Sequence, residues 1–253
     1  MMHLNLQVIS VSIAAVMAIG FMKGAFGGGF AIIGIPLLAL VMDPIKAGSL
    51  LAPLFVAMDL YALRFWRPHT WSRPDLVLLL PGLVVGIGAG YFLLEYLDRH
   101  LVELLMAVTT LLFAFLWWRG RGTAVTRPRS KGKALLAGTA SGVTTMVAHS
   151  GGPPLAMYLL PLGLSKEVYA GTTSLFFTIG NLLKAGPWLA VGGLSDGFWA
   201  LVAICLPAAL LGVWAGWKLH GRLNQEQLFS LCYGLLVVTA LKLLWDGAIG
   251  FFH

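Results

Sequence analysis

The sequence predicts an all-α integral membrane protein made of two inverted structural repeats, each a broken, re-entrant helical hairpin plus three transmembrane helices. Three observations predict this class. The composition is strongly apolar, apolar runs of about 20 residues recur along the chain, and the two halves share a pattern of glycine and proline. Each run has the length that a helix needs to cross a hydrocarbon core of about 30 Å.

The composition excludes a soluble protein of this size. Of the 253 residues, 58% are hydrophobic and 11% are charged, and the mean hydropathy is +0.86. The net charge of +7 comes from basic residues in the short connectors between apolar runs. Such connectors are typical of cytoplasmic loops of membrane proteins, so a nucleic-acid partner is not predicted.

Two of the eight apolar runs are interrupted. The runs cover residues 6–42, 47–66, 75–96, 101–118, 134–161, 168–190, 197–217 and 228–249. The first is broken by Gly27, Gly28 and Gly29, and each glycine costs about 1 kcal/mol in a helix relative to alanine. The fifth is broken by the sequence from His149 to Pro154. At membrane depth, a break in a helix is tolerated only where the backbone is buried in protein or lines a cavity.

The two broken runs occupy matching places in the two halves of the chain. At an offset of 123 residues, Gly28 and Gly29 fall on Gly151 and Gly152, and Ala47-Gly48 falls on Ala170-Gly171. At an offset of 126, Pro81, Gly86 and Ala89-Gly90 fall on Pro207, Gly212 and Ala215-Gly216. This pattern predicts an internal duplication. We expect a first membrane repeat at 1–118, a basic cytoplasmic connector at 119–133 and a second membrane repeat at 134–253.

The distribution of lysine and arginine favours hairpins over complete crossings at the two breaks. If both broken runs cross fully, the basic residues of the loops divide nine to five between the two sides. If both are re-entrant, they divide twelve to two, and the positive-inside rule prefers this arrangement. Each repeat then makes an odd number of crossings, so the repeats are inverted and both termini lie on the periplasmic or extracellular side.

The breaks are the predicted binding site. A helix that begins after a break exposes unpaired amides and the positive end of its dipole, and such ends bind anions. Two of them facing each other from opposite sides of the membrane would hold a small oxyanion. The simpler alternative is that the glycines only allow close helix packing.

Two basic side chains lie beside the breaks. Lys23 precedes the first break, and an ammonium at this depth costs at least about 2.5 kcal/mol unless it has a partner, a water-filled cavity or a bound anion. We expect it to contact substrate, with snorkelling toward lipid headgroups as the alternative. His149, at the second break, is either an anion or proton ligand or a packing residue.

Hydroxyl and amide side chains complete the predicted site, although a serine or threonine often bonds only to its own helix. The candidate substrate-binding residues are Lys23, Gly27, Gly28, Gly29, Ser49, Thr144, Thr145, His149, Ser150, Gly151, Gly152, Thr172, Thr173 and Asn181.

Asp59 and His149 are the proton-coupling candidates. Asp59 is the sole carboxylate deep in a predicted span, and it either carries a proton or pairs with Arg64 near the cytoplasmic surface. Lys184 is the matching cation in the run 168–190. The inverted arrangement separates Asp59 and Lys184 in depth, so separate roles are expected rather than a direct ion pair.

These motifs are similar to those of a known family. Gly27 to Gly29 precede the apolar Pro36-Leu37-Leu38 and then Ala47-Gly48-Ser49. The second copy has Ser141-Gly142, Gly151-Gly152-Pro153 and Ala170-Gly171-Thr172-Thr173-Ser174. Over nearly its whole length the chain resembles the sulfite exporter TauE/SafE family. The resemblance implies a permease of the bacterial inner membrane for sulfite, organosulfonates or related sulfur compounds.

A secondary transporter for a small anion, bound at the midplane between the two hairpins, is therefore the favoured function. No Gly-x4-Gly-Lys-Ser/Thr stretch indicates ATP hydrolysis, and neither a cofactor nor a metal is predicted. The expected partners are the anion and the lipid bilayer, and the sequence is compatible with a homo-oligomer. The alternative is an intramembrane enzyme acting on a small or lipid substrate through His149 and Ser150. Neighbouring residues on one helix point about 100° apart, which does not favour this pair.

A reporter fused to His253 tests the predicted orientation. With the C-terminus outside the cytoplasm, fused alkaline phosphatase is expected to be active and fused green fluorescent protein dark. The opposite pattern, with a bright fluorescent fusion, would contradict the charge argument.

Overall fold

The computed structural model describes residues 5–28, 37–38, 40–93, 108, 111, 115, 127–192 and 197–252. Regular structure within these ranges is helical throughout, which confirms the predicted all-α class. Gly29 and most of the predicted run 101–118 lie outside the described residues, as do residues 119–126 of the basic connector.

Eight α-helices occur in the described ranges. They are α1 (Leu6–Phe26), α2 (Pro44–Ala62), α3 (Arg73–Leu93), α4 (Lys131–Ala148), α5 (Gly152–Leu159), α6 (Lys166–Gly192), α7 (Phe198–Arg222) and α8 (Gln225–Phe252). Short 3-10 turns follow α2 at Pro68–Thr70 and α5 at Leu160–Leu162. Four helical stretches are long and apolar enough to cross a membrane: Leu6–Phe26, Ile45–Ala62, Arg73–Phe92 and Phe198–Arg222.

Local signals in the sequence explain where several helices begin and end. The side chain of Asn5 accepts a hydrogen bond from the amide of Val8 (2.8 Å) and caps α1. Asp43 caps α2 in the same way, through the amide of Ile45 (2.9 Å), and Pro44 occupies the first turn. Gly27 ends α1 in the left-handed conformation, which glycine adopts at no steric cost.

Two pairs of helices pack closely through small residues. In the first pair, Gly20 and Gly24 of α1 lie against the backbone of α7. In the second pair, Gly82 and Gly86 of α3 lie against the backbone of α4. Later residues of one helix contact later residues of its partner in both pairs, so the partners run parallel. Each pair joins one helix from the N-terminal half of the chain to one from the C-terminal half. Without side chains between them, the backbones gain van der Waals contact that lipid cannot replace.

Helices α2 and α6 run antiparallel through the centre of the molecule. Near the start of α2, the hydroxyl of Ser49 donates to the carbonyl of Trp188 late in α6 (2.8 Å). Further along α2, Asp59 contacts Asn181 of α6 (2.5 Å). The antiparallel order decides which buried polar groups meet.

The chain turns back on itself between α4 and α5. Arg127, just before α4, donates its amide hydrogen to the carbonyl of Pro161, which follows α5 (2.9 Å). Asp75, at the start of α3, is fully buried and binds Tyr158 of α5 (3.1 Å) and Arg129 (3.0 Å). The two ends of the α4–α5 segment therefore lie together.

Two apolar clusters form the core. One is built mainly from α1, α2 and α7, including Val16, Leu54 and Val213. The other is built mainly from α3 to α6, with contributions from α8, including Leu83 and Phe176. The buried polar groups of α1, α2 and α6 lie between these clusters.

The α1–α7 contact generates a stability prediction. A Cβ atom at Gly24 would lie 2.8 Å from the main-chain nitrogen of Trp217, so Gly24→Ala is expected to lower the free energy of unfolding by about 1–3 kcal/mol. Thermal unfolding of the purified protein in detergent measures this loss.

Gly88→Ala in α3 is the matched control, because a Cβ atom there would meet nothing within 4 Å. It is expected to leave stability unchanged or raise it slightly, as alanine favours helix. Equal effects of the two substitutions would contradict the packing argument.

Candidate functional site

The first break depends on two glycines in conformations that other residues rarely adopt. Gly27 has φ 76° and Gly28 has φ 104°. Gly27 also packs directly against α6, where a Cβ atom would lie 3.0 Å from the Cβ of Thr173. Larger residues would be strained at both positions, so the turn that follows α1 requires glycine.

The second break is built around His149, which ends α4 with φ 52°. Among the described residues it is the one non-glycine residue with positive φ, a conformation that costs roughly 1–3 kcal/mol. Its ring packs against the rings of Phe55 and Trp188, with centroids 5.6 and 4.4 Å away. Beside it, the hydroxyl of Ser141 donates to the carbonyl of Gly151 (2.5 Å) and fixes the turn into α5.

A buried ion pair links α1 to α2. Nζ of Lys23 pairs with Oδ1 of Asp59, and both side chains are 2% exposed. The second carboxylate oxygen, Oδ2, accepts a hydrogen bond from the side-chain amide of Asn181 in α6 (2.5 Å). Arg64, which the sequence offered as an alternative partner for Asp59, instead lies over the ring of Tyr61 (5.8 Å). Arg64 is near in sequence, but Lys23 is the cation that three-dimensional packing buries beside the carboxylate.

Lys184 lies one turn beyond Asn181 on α6 and is 1% exposed. Its ammonium group donates to Oγ1 of Thr145 (2.9 Å) and to the main-chain carbonyl of the same residue (3.2 Å). Both this ammonium and that of Lys23 lie over the ring of Phe55, at 5.4 and 4.6 Å from its centroid. Two ammonium groups thus contact one aromatic ring, which attracts both.

These groups surround one small cavity of about 20 Å³ between the two breaks. Its walls include the two lysines, two aromatic rings and the glycines of both turns. The lining residues are Lys23, Gly28, Phe55, Thr145, His149, Gly151, Gly152, Phe177, Asn181 and Lys184.

Seven of the predicted site residues line this cavity, and the others lie elsewhere. Ser49 and Thr144 bond to main-chain carbonyls at 2.8 Å and 2.7 Å, as hydroxyls inside helices commonly do. Thr172 accepts from the amide of Ser72 (2.8 Å), at the cavity-distant start of α6. Gly27, Ser150 and Thr173 are buried next to the breaks but do not line the cavity. Gly29 lies outside the described residues.

Sequence reasoning left Phe55, Phe177 and Lys184 out of the candidate site. A signal for the first two was present, because Phe55 and Phe177 are 122 residues apart, as are Asp59 and Asn181. Both spacings are one residue short of the offset that aligns the glycines. Lys184 has no such counterpart, and only the fold brings it to Thr145.

Several groups around the cavity are of kinds that interact favourably with negative charge. They are the buried ammonium groups, an amide and the amino-terminal end of α5. No group of three or more histidine, cysteine, aspartate or glutamate residues that could hold a metal ion occurs in the described part of the chain.

Long apolar helices around a buried charged cavity define a multi-pass membrane protein of the permease type. The family model described as Sulfite exporter TauE/SafE matches residues 12–243, and the chain belongs to this family. The family resemblance inferred from the sequence is thereby confirmed. The family is one of membrane transporters rather than enzymes. Comparison with curated proteins gave no match, and comparison with solved structures gave none either.

The Lys23–Asp59 pair generates a double-mutant prediction. Asp59→Asn or Lys23→Met leaves one charge buried without its partner, and each is expected to lower the free energy of unfolding by about 3–5 kcal/mol. The double variant K23M/D59N removes both charges, so its loss should be well below the sum of the two single losses. Unfolding in detergent provides the measurement.

Lys46→Met serves as the control, since Lys46 is exposed at the start of α2 and should change stability little. Additive losses in the double variant would show that the pair contributes no coupling.

Proposed function

We propose that this permease carries a small sulfur oxyanion or organosulfonate, such as sulfite, across the bacterial inner membrane, and that the substrate binds in the cavity between the two breaks. The observation that carries the proposal is the convergence of two buried lysines, Lys23 and Lys184, on one cavity at helix ends. An ammonium group away from water is costly unless an anion or a carboxylate lies beside it. The family membership supplies the sulfur chemistry.

In this proposal the α4–α5 segment is a re-entrant hairpin. Two observations support it: Arg127 bonds to Pro161, and Asp75 of α3 binds both Arg129 before α4 and Tyr158 of α5, so the two ends of the segment lie together. Helix α5 has eight residues, too few to cross a bilayer. The segment would enter from the cytoplasmic side, turn at His149 to Gly151 and leave on the side it entered.

The proposal also makes the two halves inverted repeats. The antiparallel packing of α2 and α6 supports this, because these helices hold equivalent places in the two halves. If both broken runs crossed fully, three crossings would separate α2 from α6 and the two helices would run parallel. The termini would then lie on the periplasmic side, in agreement with the charge distribution.

Transport would proceed by alternating exposure of the cavity to the two sides. The two parallel helix pairs, α1 with α7 and α3 with α4, each provide a compact unit on one side of the cavity. Proton coupling through Asp59 would require its ion pair with Lys23 to open, since both carboxylate oxygens are engaged. His149 is the other proton-coupling candidate, at the wall of the cavity.

Flux measurements in proteoliposomes test the proposed function. Purified protein should move sulfite or a short alkanesulfonate down its gradient, and Thr145→Val should reduce that flux about tenfold because it removes a hydroxyl from the cavity wall. Protein-free liposomes give the background rate.

Thr178→Val is the matched control, because the one hydrogen bond of its hydroxyl within the described ranges goes to the carbonyl of Ser174 in its own helix (2.8 Å), and Thr178 does not line the cavity. Absence of flux for sulfite, sulfonates and other small anions under every gradient would refute the transporter proposal.

A further inference from the structure

The two lysines of the cavity differ in how their charges are balanced. Lys23 has a full ion-pair partner in Asp59. Among the described residues, by contrast, no carboxylate oxygen forms an ion pair with Lys184. The hydrogen-bond partners of Lys184 are the two oxygens of Thr145, both of which are neutral.

The ammonium group of Lys184 also keeps donor capacity. An ammonium has three N–H donors, and within the described part of the chain two of them go to Thr145. Lys184 lines the cavity, so the remaining donor has the cavity as its nearest open volume. The oxygens of Asp59 bind Lys23 and Asn181, and the described contacts of the Lys184 ammonium do not include Asp59.

The charges of the groups around the cavity sum to a net charge of +1. With both lysines protonated and His149 neutral, the charged groups in its described walls are Lys23 and Lys184, and Asp59 lies beside them as the partner of Lys23. Two positive charges and one negative charge leave a single positive charge without balance. A singly charged anion would neutralise it, whereas a doubly charged anion would leave a net negative charge buried away from water, which is costly.

We infer that Lys184 is the residue that binds the charge of the substrate, and that the cavity selects singly charged anions, such as alkanesulfonates and hydrogen sulfite, over doubly charged ones such as sulfate. This inference rests on the proposed function and specifies its substrate class. Lys23 then has a different role: it forms a neutral pair with Asp59 that joins α1 to α2 at the cavity wall.

Uptake of labelled methanesulfonate and sulfate into proteoliposomes tests the inference. The wild-type protein should take up methanesulfonate at least about tenfold faster than sulfate at equal concentration. Lys184→Gln removes the unbalanced charge, and the apparent affinity for methanesulfonate should fall roughly ten- to hundredfold.

Two further variants separate charge selection from a purely structural role of Lys184. K23Q/D59N removes the neutral pair and keeps Lys184, so it should still prefer methanesulfonate over sulfate. Asp59→Asn adds one net positive charge, so it should raise sulfate uptake relative to methanesulfonate by about tenfold. Lys218→Gln, on the exposed face of α7, is the lysine control and should leave the ratio unchanged.

The outcomes distinguish a failure of this inference from a failure of the proposed function. If the wild-type protein moves anions but Lys184→Gln keeps the wild-type affinity, or if wild-type protein carries sulfate as fast as methanesulfonate, the inference is wrong and the transporter proposal stands. If wild-type protein moves neither sulfite, methanesulfonate nor sulfate, both are overturned. Should Asp59→Asn not fold, the contrast between Lys184→Gln and K23Q/D59N still decides the question.

Discussion

The structure depends on the rule that polar groups inside a membrane must find partners within the protein. Lys23, Asp59 and Asn181 satisfy that rule together, and they come from α1, α2 and α6. Two helices from the first half of the chain and one from the second are thereby joined at one point. The same requirement explains why both breaks lie beside this cluster, since the backbone amides and carbonyls of broken helices also need a polar surrounding. The cavity lies where these buried polar side chains and the two breaks come together.

Much of the fold follows from hydrophobicity and from glycine. Apolar runs locate most of the described helices to within a few residues, and the glycines locate both breaks. It was harder to predict from the sequence which side chains bind each other. Asp59 is nearest in sequence to Arg64, and only the packing of α1 against α2 reveals Lys23 as its partner. The role of Ser49, Thr144 and Thr172 was equally hidden, because a hydroxyl that bonds to the main chain looks the same in sequence as one that faces a cavity.

The aromatic residues show a second limit of prediction from the sequence. Phe55 reads as an ordinary apolar residue of a membrane helix, yet its ring lies beneath both ammonium groups and beside His149. An aromatic face can hold a cation without neutralising it. A carboxylate in that place would cancel the remaining positive charge and remove the reason for an anion to enter. Phenylalanine at this wall therefore affects the charge balance of the cavity as well as its shape.

The parallel packing of α1 against α7 has a consequence for biosynthesis. Helix α1 leaves the ribosome long before α7, so its glycine face has no partner until α7 has been made. During most of translation that face is in contact with lipid or with the insertion machinery. The central assembly of the protein must therefore occur after insertion, when the late helices reach the early ones. A ribosome that stalls before α7 releases a chain in which α1 can still pair with α2 through Lys23 and Asp59, while its glycine face has no partner.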